Sequence, residues 1–214
     1  DFYEEALAEQ PDRKLRQEAA RKFVQRTVDL REDLKHSDRW SQEFTQDQVN
    51  AWLAEELHTK FSDVVPEGVR DPRVKFAADA ILVGFHYSDS RYSGVISARL
   101  RPWMIEPNRL AVEIESVKAG AVPVPVDEFL EMVDQGLSHD GWQIESGQVH
   151  GNQVLVLNFV PAAVDEPILD RLKVVDGKLE VAGTRVMSDG GNPAPRPTHE
   201  KQTDAENTQQ RYTR

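Results

Sequence analysis

The spacing of apolar positions changes near residue 66, from a helical period to a period of two, and the change predicts an α+β fold. Between Asp12 and Leu34, Leu15, Ala19, Phe23, Leu30 and Leu34 fall on one stripe, with Thr27 in line and Arg, Lys, Glu, Asp and Gln opposite. That pattern is an amphipathic helix, and Pro11-Asp12 supplies a start signal. A second helix is marked by Thr45 as N-cap with Gln48 three residues on, a capping box. Phe44 and Val49 form the matching hydrophobic staple, and Val49, Trp52, Leu53 and Leu57 form the stripe to be buried.

After Pro66-Glu67-Gly68 the alternation is strand-like. Val74 and Phe76 share a face; so do Ile81, Val83, Phe85 and Tyr87; so do Ile96, Ala98 and Leu100. Leu110, Val112 and Ile114 follow the turn Glu106-Pro107-Asn108. Successive strands joined by short polar turns predict an antiparallel meander. Parity slips near Ser116, since Val117 and Ala119 take the other phase, and a β-bulge there is expected. Pro123 and Pro125 cannot both donate to a ladder, so the chain should leave the sheet at Gly120-Ala121-Val122-Pro123-Val124-Pro125.

Asp127 is then a candidate cap for a helix reaching Leu137, with Phe129, Leu130, Val133 and Leu137 inward. Trp142–Ile144 and Val154–Val160 read as strands around the turn His150-Gly151-Asn152. Val154-Leu155-Val156-Leu157 is apolar on both faces, which places it centrally in the sheet or against a cavity. Pro167 through Leu172 reads as a helical turn, and Asp176-Gly177 as a type I′ hairpin pair. From Met187 the residues are small and polar, so a disordered tail is expected. The resulting division is an N-terminal amphipathic helix in 1–40, an α+β domain in 41–186 and a tail in 187–214. The fold class is α+β, with N-terminal helices packed on a curved antiparallel meander sheet.

Composition narrows the chemistry. The 214 residues carry a formal net charge of -11, which argues against nucleic acid as a partner. Arg91, Arg99, Arg101 and Arg109 read as strand-face charges in solvent. The absence of cysteine excludes disulfides, zinc-thiolate sites and a cysteine nucleophile. The histidines His36, His58, His86, His139, His150 and His199 show no metal-ligand spacing, so neither a metal nor a cofactor is expected. The chain begins at Asp1, and a removed signal or anchor segment is expected before it.

Catalytic signatures are sparse. Glu113 and Glu115 share a strand face, and His86 sits between Phe85 and Tyr87, so an acid–base site would have to join these residues. A solvated face and a lone imidazole explain them more simply, and the chain reads as a non-enzyme. What remains is shape: a curved sheet closed by helices can enclose an apolar trough that binds a ligand without catalytic residues. Its candidate lining is Trp52, Ile81, Val83, Phe85, Ile96, Leu100, Leu155 and Leu157. The alternative is a filled core, with the N-terminal helix or a free strand edge recruiting a protein partner.

Two segments carry a family resemblance. Phe44-Thr45-x-x-Gln48-Val49-Asn50-Ala51-Trp52-Leu53, followed by strands and then Gly120-Ala121-Val122-Pro123-Val124-Pro125 and a helix, resembles bacterial extracytoplasmic, membrane-anchored domains of the YpmS type. The resemblance spans roughly Phe44 to Gly183. That type is likened to tubular lipid-binding (TULIP-like) domains, in which a curved sheet wraps a long helix around a lipid tail. The resemblance implies a lipid or other apolar ligand, an extracytoplasmic or membrane-anchored location and no catalysis. The charged N-terminal helix and the polar tail depart from the type.

Overall fold

The computed structural model describes residues 2–8, 11–60, 65–90, 92–127, 129–130, 142–149, 151–159 and 166–185. The expected tail, Val133 and Leu137 of the expected helix, and Arg91, His139, His150 and His199 lie outside these residues. The elements run α1 (Phe2–Ala8), α2 (Arg13–His36), β1 (Arg39–Thr45), α3 (Gln46–Glu55) and a single turn α4 (Leu57–Lys60). Strands β2 (Val69–Ala77), β3 (Ala80–Ser88), β4 (Ser93–Glu106), β5 (Arg109–Ala119) and the short β6 (Val122–Pro123) follow. The chain then forms β7 (Trp142–Val149), β8 (Asn152–Phe159), β9 (Pro167–Val175) and β10 (Lys178–Arg185).

Two antiparallel sheets result. The large one has the order β2-β3-β4-β5-β8-β7, with β6 paired to β5; the small one has the order β1-β10-β9. The first four strands of the large sheet are the expected meander, and the sheet stays open rather than closing into a barrel. The expected bulge is present: Arg99 faces Ser116 while Leu100 faces Ile114, which leaves Glu115 as the extra residue. The extra residue lets Ile114 and Val117 both point into the core, where they are buried with Phe85, Ile96, Ala98 and Phe129.

Helix α2 starts at the expected place. The Asp12 carboxylate accepts from the Lys14 backbone N–H at 3.2 Å. Helix α3 carries the full capping box, with the Gln48 N–H donating to Thr45 Oγ1 and the Thr45 N–H donating to Gln48 Oε1, both at 3.3 Å. We expect Thr45→Ala to cost about 1 kcal/mol in a urea titration, with an unchanged m-value. The two helices pack on each other and on β1, where Phe23 lies 5.4 Å from Phe44 and 5.2 Å from Trp52, centroid to centroid.

Side chains join this layer to the large sheet at the edge strand β2. The Asn50 amide accepts from the Val74 N–H at 2.8 Å and donates to the Val74 carbonyl at 2.9 Å. Gln46 Oε1 accepts from the Phe76 N–H at 3.1 Å. An exposed β2 edge would offer these groups to another strand; here they are occupied from α3. The Asn50-Ala51 pair therefore has a structural role, since Ala51 is buried where a larger side chain would hold α3 away. At the other end of the layer, Asn108 in the β4–β5 turn donates from its backbone to the Leu169 carbonyl at 2.8 Å and accepts from the Leu169 N–H at 2.7 Å.

Several expectations change. Pro167–Leu172 is part of strand β9, not a helical turn, because it pairs along β10. The Asp176-Gly177 hairpin forms, but only Gly177 takes a positive φ, of 75°, so the turn is not type I′, which needs a positive φ at both central residues. Residues 126 and 127 are already helical, and Phe129 N–H donates to the Pro125 carbonyl at 3.4 Å, so Asp127 lies inside the helix instead of capping it. Its carboxylate accepts from Gln153 Nε2 at 3.0 Å. The chain also holds to the sheet slightly longer than expected: Val122 and Pro123 pair with Ala119 and Lys118 before it departs.

Candidate functional site

The inner face of the meander carries an apolar cavity of about 360 Å³. Val83 and Phe85 come from β3, Leu100 from β4, Val112 and Ile114 from β5, and Leu155 and Leu157 from β8. Pro66 and Val69 close one side, and Phe129 and Leu130 the other. The lining follows from register. Leu100 faces Ile114 directly across β4–β5, and Val112 faces Leu155 across β5–β8. Directly opposed residues on one face stand about 4.5–5.5 Å apart at Cβ, so these pairs form a continuous apolar floor. Every described residue in the lining is apolar, and these side chains offer a water inside no polar partner.

The expected lining divides. Val83, Phe85, Leu100, Leu155 and Leu157 are brought together in the cavity. Ile96 is buried in the same cluster as the lining residues Phe85, Ile114 and Phe129 but does not line the cavity. Ile81 faces Phe76 of β2, toward the helical end of the sheet. Trp52 lies with Phe23 in the helix layer, away from the cavity. Val112, Ile114, Phe129, Leu130, Pro66 and Val69 are additions. For Val112 and Ile114 the signal is their shared parity with Leu110, once the turn at Asn108 fixes the pairing.

The charged residues occupy the opposite face. Arg99 Nε binds Glu115 Oε2 at 2.6 Å, Arg101 Nη1 lies 3.8 Å from Glu113 Oε2, and Arg109 Nη1 lies 3.2 Å from Glu106 Oε1. The Glu113 carboxylate is buried and accepts from Asn152 Nδ2 at 2.5 Å. Each expected strand-face arginine among the described residues is therefore matched by a glutamate. His86 is not brought to this row. It pairs with Val95, four residues along β3 from Leu82, which pairs with Arg99, so it is displaced by about 13 Å along the strand direction from the Arg99–Glu115 pair.

On α2, Phe23 and Ala20 face the molecule while Leu15, Val24 and Val28 are exposed. Val24 and Val28 stand one turn apart, and Leu15, nine residues before Val24, falls half a turn round the helix from it. No helix of the described residues is long and apolar enough to cross a membrane. Compared with known proteins, the chain matches no family model, no curated protein and no solved structure.

Proposed function

We propose that this chain is a non-enzymatic domain that holds an apolar ligand, such as a lipid tail, in the cavity between the meander and the Phe129–Leu130 helical segment. The wholly apolar lining carries the reading. Ligand pockets fall at about 300–1,000 Å³, and a dry apolar cavity of about 150 Å³ already admits a benzene-sized guest. The present volume of about 360 Å³ accepts a segment of acyl chain. With no polar group among its described lining residues, the cavity selects by shape and burial rather than by reaction. The resemblance to YpmS-type and tubular lipid-binding domains adds support, and with it the placement of this bacterial-type domain outside the cytoplasm or at a membrane anchor.

Native mass spectrometry of gently purified protein tests the reading. A retained mass in the lipid range is expected on the wild type, and its loss on Leu155→Trp, which fills the cavity. A bare polypeptide mass for wild type, both as purified and after incubation with phospholipid vesicles, would overturn the proposal in favour of a filled core.

A further inference from the structure

A second cavity, of about 400 Å³, lies where α2 and α3 meet β2, and its wall is charged. Among the described residues, two guanidinium groups, Arg16 and Arg73, line it with one carboxylate, Asp47, and the side-chain amides of Gln46 and Asn50. The two arginines differ. Arg16 is bound by Glu55 at 2.5 Å. Arg73 is 3% exposed, and no carboxylate lies within 4.0 Å of it among the described residues. Its guanidinium donates from Nη1 to the Pro72 carbonyl at 2.7 Å.

A guanidinium has five N–H donors and stays protonated at neutral pH. Burying one without an acid is expensive unless another group supplies the negative charge. Arg73 faces Gly84 across β2–β3, on the face of the sheet that α1 covers, and a bulge lies just before it. Arg70 pairs with His86 and Arg73 with Gly84, so β2 carries one extra residue here, and Asp71 takes φ 48°. The Asp71 backbone carbonyl is tied down by the Tyr3 hydroxyl at 3.1 Å. Burial lowers the Arg73 pKa, Asp71 and Tyr3 oppose that shift, and the Arg16 charge adds to the lowering, so the two cations sense each other across the cavity.

We infer that this cavity binds a small molecule through an anionic oxygen group, a carboxylate or a phosphate, held by Arg73. The guanidinium fork matches both groups bidentately, and the alanines Ala19, Ala51 and Ala54 on the wall leave room for the rest of the molecule. Asp47, exposed at the rim, opposes an anion and makes the site selective against a high charge. This site lies apart from the apolar cavity and does not depend on it.

The test uses the full chain and measures melting temperature against added inorganic phosphate or acetate, with sodium chloride at matched ionic strength as control. A saturable rise above the control is expected, as for any ligand that binds only the folded state. A response to phosphate alone assigns a phosphate ligand, to acetate alone a carboxylate, and to both a general oxyanion site. The response should vanish in Arg73→Met. Should that variant fail to fold, Asp47→Asn decides: removing the opposing charge should tighten binding of the responding anion about threefold or more. No response to either anion in the wild type, a response that survives Arg73→Met, or unchanged affinity in Asp47→Asn would each overturn the inference.

Discussion

Replacing Gly183 with alanine should destabilise the protein by about 3 kcal/mol or more, at the upper end of overpacking substitutions. A Cβ at this position would stand 1.9 Å from the Ile168 carbonyl oxygen and 2.4 Å from Trp40 Cζ2. The first neighbour is backbone in the adjacent strand, so relief requires β9 to move away from β10. The second is a buried indole that cannot swing into solvent without uncovering the small sheet. Neither neighbour is the free end of a flexible side chain, which is the one case in which such a clash is cheap. The loss is a large fraction of the roughly 5–15 kcal/mol that stabilises a typical domain. Urea unfolding followed by tryptophan fluorescence measures it. Gly147→Ala is the control, because nothing lies within 4 Å of the position its new methyl would take, and its stability should stay within about 0.5 kcal/mol of wild type. Equal midpoints for the two variants would show that β9 and β10 can separate at Gly183 without penalty.

The same segment explains why part of the fold cannot be read from sequence. Ile168, Leu169 and Leu172 stand three and four apart, which imitates a helix. In the structure Gly183 faces Leu169 and Ala182 faces Arg171, so Asp170 is an extra residue and shifts the parity of a strand. A bulge converts a period of two into what looks like a helical interval. At Ser116 the opposite holds: the alternation on both sides is long enough for the slip itself to be visible. Strand β1 is hidden for another reason. Only Trp40 and Phe44 mark its inner face, and Phe44 already reads as the staple of α3.

For the cavity, strand parity identifies Val83, Phe85, Leu100, Leu155 and Leu157, because alternation assigns faces without any knowledge of pairing. Trp52 falls in with them in the sequence because nothing in the residue pattern states that its helix packs against α2 and the β2 edge, away from the cavity. Arg73 carries no signal. A charge alternating with Val74 and Phe76 reads as solvent-facing, and nothing in the residue pattern states that α1 covers the face it shares with Gly84.

Tyr3→Ala is the second large effect, with an expected loss of about 3–5 kcal/mol, the range for removing a fully buried aromatic ring. Tyr3 stands in an acidic segment, yet it is the largest fully buried side chain among the described residues. Its seat is Gly84. Gly84 alternates with Val83 and Phe85, so α1 covers the face of β3 opposite the apolar cavity. A Cβ on Gly84 would stand 2.8 Å from Tyr3 Cδ2 and 3.0 Å from Phe2 Cζ, so the ring occupies the space a side chain would take. An isolated helix shorter than about 12–15 residues is marginal in water, so α1, at 7 residues, is held by this ring rather than by its own hydrogen bonds. Without it, α1 should detach, and its amides should lose protection from hydrogen exchange while β4 and β5 keep theirs. Gly84→Val reaches the same state from the other side of the contact. Tyr3→Phe separates ring from hydroxyl: it keeps the packing and loses the bond to the Asp71 carbonyl, an expected cost of about 1 kcal/mol. The hydroxyl also sets a pH dependence. Burial, and then the Asp71 charge, raise the Tyr3 pKa above the ordinary phenol value. A raised pKa stabilises the fold fully below the unfolded value of about 10, and the contribution is lost as pH rises through the native value. Wild type should therefore lose stability more steeply than Tyr3→Phe above about pH 10. Parallel alkaline curves for wild type and Tyr3→Phe would show that the hydroxyl titrates alike in the folded and unfolded chain, and full protection of α1 in Tyr3→Ala would show that the ring does not anchor the helix.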